Sequence, residues 1–299
     1  MMKSTLFILA FIMPVTLLAQ KEYFDSTYSK VTVSAHKYAT IDNENLEMDF
    51  YRPEGAKGKL PVVVYVHGGG FNSGSRNSQG IQLFAKRLAK RGYGFLSVSY
   101  RLTLKDKGAE CEVPTALKQQ AIITAAEDVS LGIQYMLNNP SLFPINSDKI
   151  ILAGSSAGAE AILHLAYSPN KSKNLGNVKF AGIVAIAGAL MDPNAITQLN
   201  AVPTLLFHGT DDTVVPFNTG IHQSCKQSDA GYFQLHGSRV IANKLKELGK
   251  PYYMFTINKG THDWAGIPTK RCFTEINDFL YHDVLFPKLM RQTERTITE

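Results

Sequence analysis

The chain has 299 residues, 44% of them hydrophobic and 19% charged, a balance that excludes a largely disordered chain or a fibre. A chain of this length buries a large core without disulfides or metals to staple it. The formal net charge of +6 is spread along the sequence. Its densest clusters, Lys86-Arg87 with Lys90-Arg91 and Lys244 with Lys246, fall at the spacing of a solvated helix face. A nucleic-acid binder concentrates its charge, so that class is set aside.

Met1-Met2-Lys3 is a short basic start, followed by an apolar run of 14 residues from Leu6 to Ala19 that Pro14 interrupts. A membrane-spanning helix needs about 20 residues, so stable membrane insertion is not expected. The run has the length of a signal-peptide core, and Ala19 offers a small residue before a cleavage site. Residues 1–19 therefore read as an export signal and residues 20–299 as one domain. An uncleaved anchor is the alternative.

From Lys30 to Pro53 the pattern is β-structure without helices, because Val31 and Val33, then Leu46, Met48 and Phe50, alternate with polar residues. Leu60 to Val66 is a continuous apolar run, as in a strand covered on both faces. Gln79 to Arg91 reads as an amphipathic helix ending near Gly92. Further buried strands are expected at Tyr93–Ser99, Lys149–Ala153, Phe180–Ala187, Val202–Phe207 and Tyr252–Ile257. Helices are expected at Thr115–Asn138, Ala157–Ala166 and Ser238–Leu248, with a final one at Lys270–Phe286. This alternation predicts an α/β fold: a mainly parallel sheet with an antiparallel start and helices on both faces.

Glycine-marked turns carry the chemistry. Gly154-Ser155-Ser156-Ala157-Gly158 lies directly after one strand and before one helix. In that setting GxSxG forms a tight elbow from which the serine protrudes, so Ser156 is the candidate nucleophile. His67-Gly68-Gly69-Gly70-Phe71 ends an earlier strand, and successive glycines there can turn backbone N–H groups toward one point. Acyl transfer needs such donors, since charge grows on the carbonyl oxygen and one donor is worth about 3–4 kcal/mol. His67 reads as a structural residue of this loop. Gly260-Thr261-His262-Asp263-Trp264 follows the strand ending at Ile257, which makes His262 the candidate general base. Two adjacent carboxylates, Asp211 and Asp212, follow the strand ending at Phe207, and residue physics does not choose between them.

The HGGGF turn, Tyr100-Arg101-Leu102 closing the next strand, and GSSAG after a third resemble the α/β-hydrolase esterases. Secreted carboxylesterases and feruloyl/acetylxylan-type esterases with an HGGG oxyanion loop are the nearest in pattern. Ser155 and Ala159 depart from it, since many relatives have an acid and a further glycine there. The resemblance implies an α/β-hydrolase fold without a large lid, a Ser156–His262–Asp212 triad, and oxyanion donors at Gly69, Gly70 and Ala157. Asp212 is favoured because His208-Gly209-Thr210-Asp211-Asp212-Thr213-Val214-Val215-Pro216 resembles the family's HGxxDxxVP acid loop. The expected activity is hydrolysis of short-chain or aromatic carboxylic esters, small or linked to a polysaccharide, with no metal or cofactor. A serine peptidase of the prolyl-oligopeptidase type and a non-catalytic binding member of the fold are the alternatives. The insertion from Phe217 to Gly237 is expected to be irregular and to wall an open site. Neither a CxxC spacing nor a neighbouring histidine pattern surrounds Cys111, Cys225 and Cys272, so zinc is unsupported. Neighbouring strands feed the loops near Cys225 and Cys272 in this fold, so that pair is the expected disulfide if any forms.

Overall fold

The computed structural model describes residues 22–108, 110–168 and 174–298; the export-signal reading concerns residues outside these ranges. Strands β1 (Val31–Ile41) and β2 (Glu44–Pro53) form a hairpin. Its two-residue turn holds Asp42 and Asn43 at φ 50° and 65°, the left-handed geometry that short polar side chains tolerate and that matches strand twist. The strands β3 (Leu60–Val66), β4 (Gly94–Val98), β5 (Ile145–Ser155), β6 (Gly182–Ile186), β7 (Ala189–Leu190) and β8 (Thr204–Gly209) follow in chain order. After them come β9 (Thr219–Ile221), β10 (Gln234–Gly237), β11 (Tyr252–Asn258) and β12 (Gln292–Thr298). Nine strands make one sheet in the order β1-β2-β4-β3-β5-β6-β8-β11-β12, antiparallel as far as β4 and parallel from there on.

Two apolar layers sandwich this sheet. On one face α1 (Gln79–Ala89) packs with α5 (Pro268–Arg271) and α6 (Phe273–Phe279) through Phe84, Leu88, Phe273 and Phe279. The other face carries α2 (Thr115–Asn138), α3 (Ala157–Tyr167) and α4 (Ser238–Glu247), with Val129, Ile162 and Ile241 at its centre. The parallel strands are apolar throughout because both their faces are covered. Among the described residues no helix is long and apolar enough to cross a membrane.

Three expectations change. The predicted final helix breaks into α5, α6 and a π-helical segment, Leu280–Leu285, and the unanticipated β12 then pairs in parallel with β11. The insertion after β8 is partly regular, since β9 and β10 join β7 in a three-stranded sheet. The disulfide links Cys111 to Cys225, not Cys225 to Cys272. Cys272 is buried with Phe84 and Phe273 in the α1 layer, whereas the insertion packs through Phe233 and Leu235 into the α2 layer. The sheet therefore separates the two cysteines that strand order alone would bring together.

The bridge fastens the insertion to the segment before α2, where Gly231 N–H also donates to the Cys111 carbonyl at 2.9 Å. It closes a loop of 114 residues, so replacing both cysteines by alanine should cost about 2–4 kcal/mol, mostly by freeing the unfolded chain. For a domain of this size that is a fall of roughly 5–15 °C in Tm. An unchanged melting curve, or a Cys272 crosslink in non-reducing peptide mapping, would contradict the assignment.

Candidate active site

The sheet registers bring four segments together. Val66 pairs with Gly154, which sets the His67–Gly70 turn beside the end of β5. Ile257 pairs with Gly209, which sets the loop after β11 beside the loop after β8. All four segments leave the carboxyl ends of parallel strands, where open α/β sheets form their clefts.

Between β5 and α3, Ser156 sits at φ 52°, ψ −127°. A non-glycine residue held there costs on the order of 1–3 kcal/mol and needs its surroundings to enforce it. Its N–H donates to the Ile186 carbonyl at 2.8 Å, and its carbonyl accepts from Glu160 N–H at 3.0 Å. The first turn of α3 also lies directly on the end of β3: a Cβ on Gly158 would sit 2.2 Å from the Val66 carbonyl oxygen. With the backbone so fixed, Ser156 Oγ lies 2.8 Å from His262 Nε2.

His262 opens a short 3-10 turn, His262–Ala265, after β11. Its Nδ1 is 2.8 Å from Asp212 Oδ2. The other carboxylate oxygen, Oδ1, accepts from the N–H groups of Val214 and Val215, each at 2.9 Å. His208 is fully buried behind Asp212, with Nε2 at 3.4 Å from Oδ2 and at 3.0 Å from the Val215 carbonyl. Burial pushes the Asp212 carboxyl up, but hydrogen bonds from His208 and His262 outweigh it and hold the group well below the usual carboxylate range. Asp211 points away, exposed and bonded to Thr210 Oγ1 at 2.9 Å, and Asp263 is exposed beside Thr261. The two adjacent carboxylates thus part company: only Asp212 reaches the imidazole.

The glycine turn is held from behind. Tyr100 OH donates to the His67 carbonyl at 3.0 Å, and the two rings stack at 4.5 Å, so His67 is part of the support. Gly69 and Gly70 adopt φ +118° and +61°, which the glycines permit. The Gly69 carbonyl accepts from the N–H groups of Asn72 and Ser73, while the Gly69 and Gly70 N–H groups take no part in the loop hydrogen bonds among the described residues. Ala157 is the first residue of α3, where a helix N–H has no acceptor in its own helix.

One cluster escaped the sequence reading. Glu160, in the first turn of α3, is buried at 1% exposure, and its Oε1 lies 3.7 Å from Nε2 of His222, itself 8% exposed. Burial, with the Asp212 charge, pushes the Glu160 carboxyl up to about 8, although Lys118 opposes this. Burial, then the charges of Lys118 and His262, push the His222 imidazole down to about 3. Both groups are uncharged at neutral pH. The available signal was Glu160 itself, the one acid in Ala157–Tyr167, a run otherwise apolar except for His164. Elsewhere, Cys111, Cys225 and Asp229 bring three potential metal donors within 4.8 Å, but the two sulfurs are bonded to each other.

The raised Glu160 pKa has a defined sign. Between the ordinary value of 4.5 and about 8, the unfolded chain ionises this group and the folded chain does not, so stability falls as pH rises through that window. Glu160→Gln should leave Tm nearly unchanged at pH 4 and raise it at pH 8 by a few kcal/mol equivalent, roughly 5–10 °C. Equal shifts at both pH values would mean that Glu160 is not held neutral.

Known proteins resemble this chain at two levels, sequence and fold. The family model BD-FAE matches residues 48–189, which span the glycine turn and the serine elbow. Gut esterase 1 of Caenorhabditis elegans is 26% identical over 161 residues, covering 54% of this chain and 28% of that protein. Lipase 1 of Geotrichum candidum is 27% identical over 164 residues, 50% of this chain and 27% of that protein. The chain thus spans less than a third of the length of these curated relatives. Among solved structures, native Est2 of Thermogutta terrifontis, described as a thermophilic esterase, superposes with a TM-score of 0.63. That match has 16% identity and covers 86% of this chain and 94% of the other. The chain has an α/β-hydrolase fold, and its sequence matches include esterases and lipases.

Proposed function

We infer that the protein is an exported serine hydrolase of carboxylic esters, acting through Ser156, His262 and Asp212. The observation that carries this is the continuous relay from Ser156 Oγ through His262 to Asp212, with 2.8 Å at each contact. In this mechanism Ser156 Oγ attacks the ester carbonyl while His262 Nε2 takes its proton. Asp212 keeps the Nδ1–H tautomer and stabilises the imidazolium. The N–H groups of Gly69, Gly70 and Ala157 receive the charge on the tetrahedral oxygen. His262 then returns the proton to the leaving alcohol, and water, deprotonated by the same imidazole, releases the acid from the acyl-enzyme.

Short-chain or aromatic esters, free or linked to a polysaccharide, suit the open cleft. The connection from Ala189 to Ala201 has only 13 residues, too few for a helical lid. Export is supported by the basic start and apolar run, and Secreted lipase 5 of Gibberella zeae, 29% identical over 148 residues, bears that location in its name. Intact mass of the exported protein should begin at or near Gln20; retention of Met1–Ala19 in a membrane fraction would favour an anchor.

Ser156→Ala should remove nearly all hydrolysis of 4-nitrophenyl acyl esters and all fluorophosphonate labelling. Asp212→Asn should lower kcat by up to about four orders of magnitude, far more than Asp211→Asn, because the amide favours the wrong tautomer. A Ser156→Ala enzyme with more than about a tenth of the original kcat would sink the covalent mechanism. Rates on acetylated xylan, methyl ferulate and 4-nitrophenyl esters of increasing chain length would define the substrate.

A further inference from the structure

His222 is a buried imidazole with neither ring nitrogen within hydrogen-bond distance of a partner among the described residues. Nε2 stops 3.7 Å from Glu160 Oε1, and both Nδ1 and that Oε1 are sealed and unpaired. Leaving a buried polar atom unmet costs about 1–3 kcal/mol, and such groups in a native fold call for a reason. The ring packs edge-on to Phe233 at 6.2 Å, so its placement is fixed from behind.

In front of it lies a small pocket, with about 30 Å³ of room for water-sized groups, between Gly70-Phe71 of the glycine turn and His222-Gln223 of the insertion, lined by the apolar Val113 and Ile122 and by the charged Lys118 and Glu110. This wall is built to stay put. Lys118 Nζ donates to Gln223 Oε1 at 2.6 Å and to the Gly231 carbonyl at 3.1 Å. Gln223 N–H donates to the Val214 carbonyl at 2.7 Å, beside Asp212, and the Cys111–Cys225 bridge locks the same turn.

We propose that this pocket is a substrate subsite in which His222 selects an ester arm carrying a neutral hydroxyl on a short apolar frame. The inference rests on the ester-hydrolase reading above and names what its site selects. With Nδ1 sealed, Nε2 is the ring nitrogen left to meet a ligand, and as part of an uncharged imidazole it gives a hydroxyl one hydrogen bond. Burial together with Lys118 and His262 keeps the imidazole uncharged. The Glu110 carboxylate in the lining repels an anionic arm, the Lys118 ammonium is already taken up by Gln223, Cys225 and Gly231, and the neighbouring glycine turn sets the arm next to the scissile carbonyl. Glu160, held neutral behind the ring, is a positioning residue for it.

The test compares isosteric substrates. On the acyl side these are the 4-nitrophenyl esters of 3-hydroxybutanoic and 3-methylbutanoic acid; on the alcohol side, 3-hydroxypropyl and butyl acetate. Wild-type enzyme should favour the hydroxylated member of at least one pair in kcat/KM. His222→Phe should cut that ratio about tenfold or more, and His222→Gln, with an amide near the Nε2 position, should retain most of it. Ratios near one for both pairs, or a ratio unmoved in a His222→Phe enzyme of normal Tm, would overturn the proposal. If His222→Phe fails to fold, loss of the ratio in a folded His222→Gln enzyme also counts against it. Calorimetric binding of the hydroxylated and plain acids and alcohols to Ser156→Ala reads the same selectivity without turnover. Absence of hydrolysis in wild type would thus sink the ester-hydrolase reading, whereas equal binding within each pair would sink the His222 subsite alone.

Discussion

The arrangement depends on how closely α3 can approach the end of β3. A side chain at position 158 would drive a Cβ to 2.2 Å from the Val66 carbonyl oxygen, and one at 154 would reach 2.6 Å from the Gly158 carbonyl oxygen. Without those two glycines the helix would ride up, and Ser156 could not hold its left-handed conformation against the Ile186 hydrogen bond. Every other site residue is then positioned relative to β5 by strand register, so a slip in pairing would misplace His262 and the glycine turn together.

Two buried carboxyl groups near the serine are treated in opposite ways. Asp212 receives two backbone N–H groups and two histidine contacts, and stays ionised despite burial. Glu160 receives no donor at Oε1, faces the Asp212 charge, and stays neutral. Coulomb repulsion at low dielectric makes these states interdependent: a charged Glu160 would oppose the anion that orients His262. One carboxylate is kept charged where hydrogen bonds converge, and the other is kept protonated where they are missing.

How much of this the sequence disclosed follows from which signals are local. The bounds of α2 agree with the expected Thr115–Asn138, and the serine, histidine and glycine turns all fall at strand ends, because a buried strand followed by a glycine-led turn leaves a local pattern. Choosing Asp212 over Asp211 needed the resemblance, since the difference lies in which side chain faces the cleft. Strand β12 was illegible: Gln292–Thr298 is an edge strand with one apolar residue, Ile297, and draws its stability from pairing with β11. The disulfide was misjudged because strand adjacency says nothing about which face of the sheet the following helix covers. Glu160 and His222 meet across 62 positions of sequence, and no local pattern marks such a pair.

The site is thereby divided between two structural origins. Ser156, His262, Asp212 and the glycine turn all follow strands of the main sheet, whose pairing makes their geometry stiff. The wall that faces the glycine turn belongs to the insertion, which joins the main sheet through no strand and is held by Lys118, the Cys111–Cys225 bridge and the small β7-β10-β9 sheet. Interactions of that kind can be rebuilt without disturbing strand register. Under the proposed function, bond cleavage would lie with the part of the fold least able to change, and recognition of what is cleaved with the part that can change most freely.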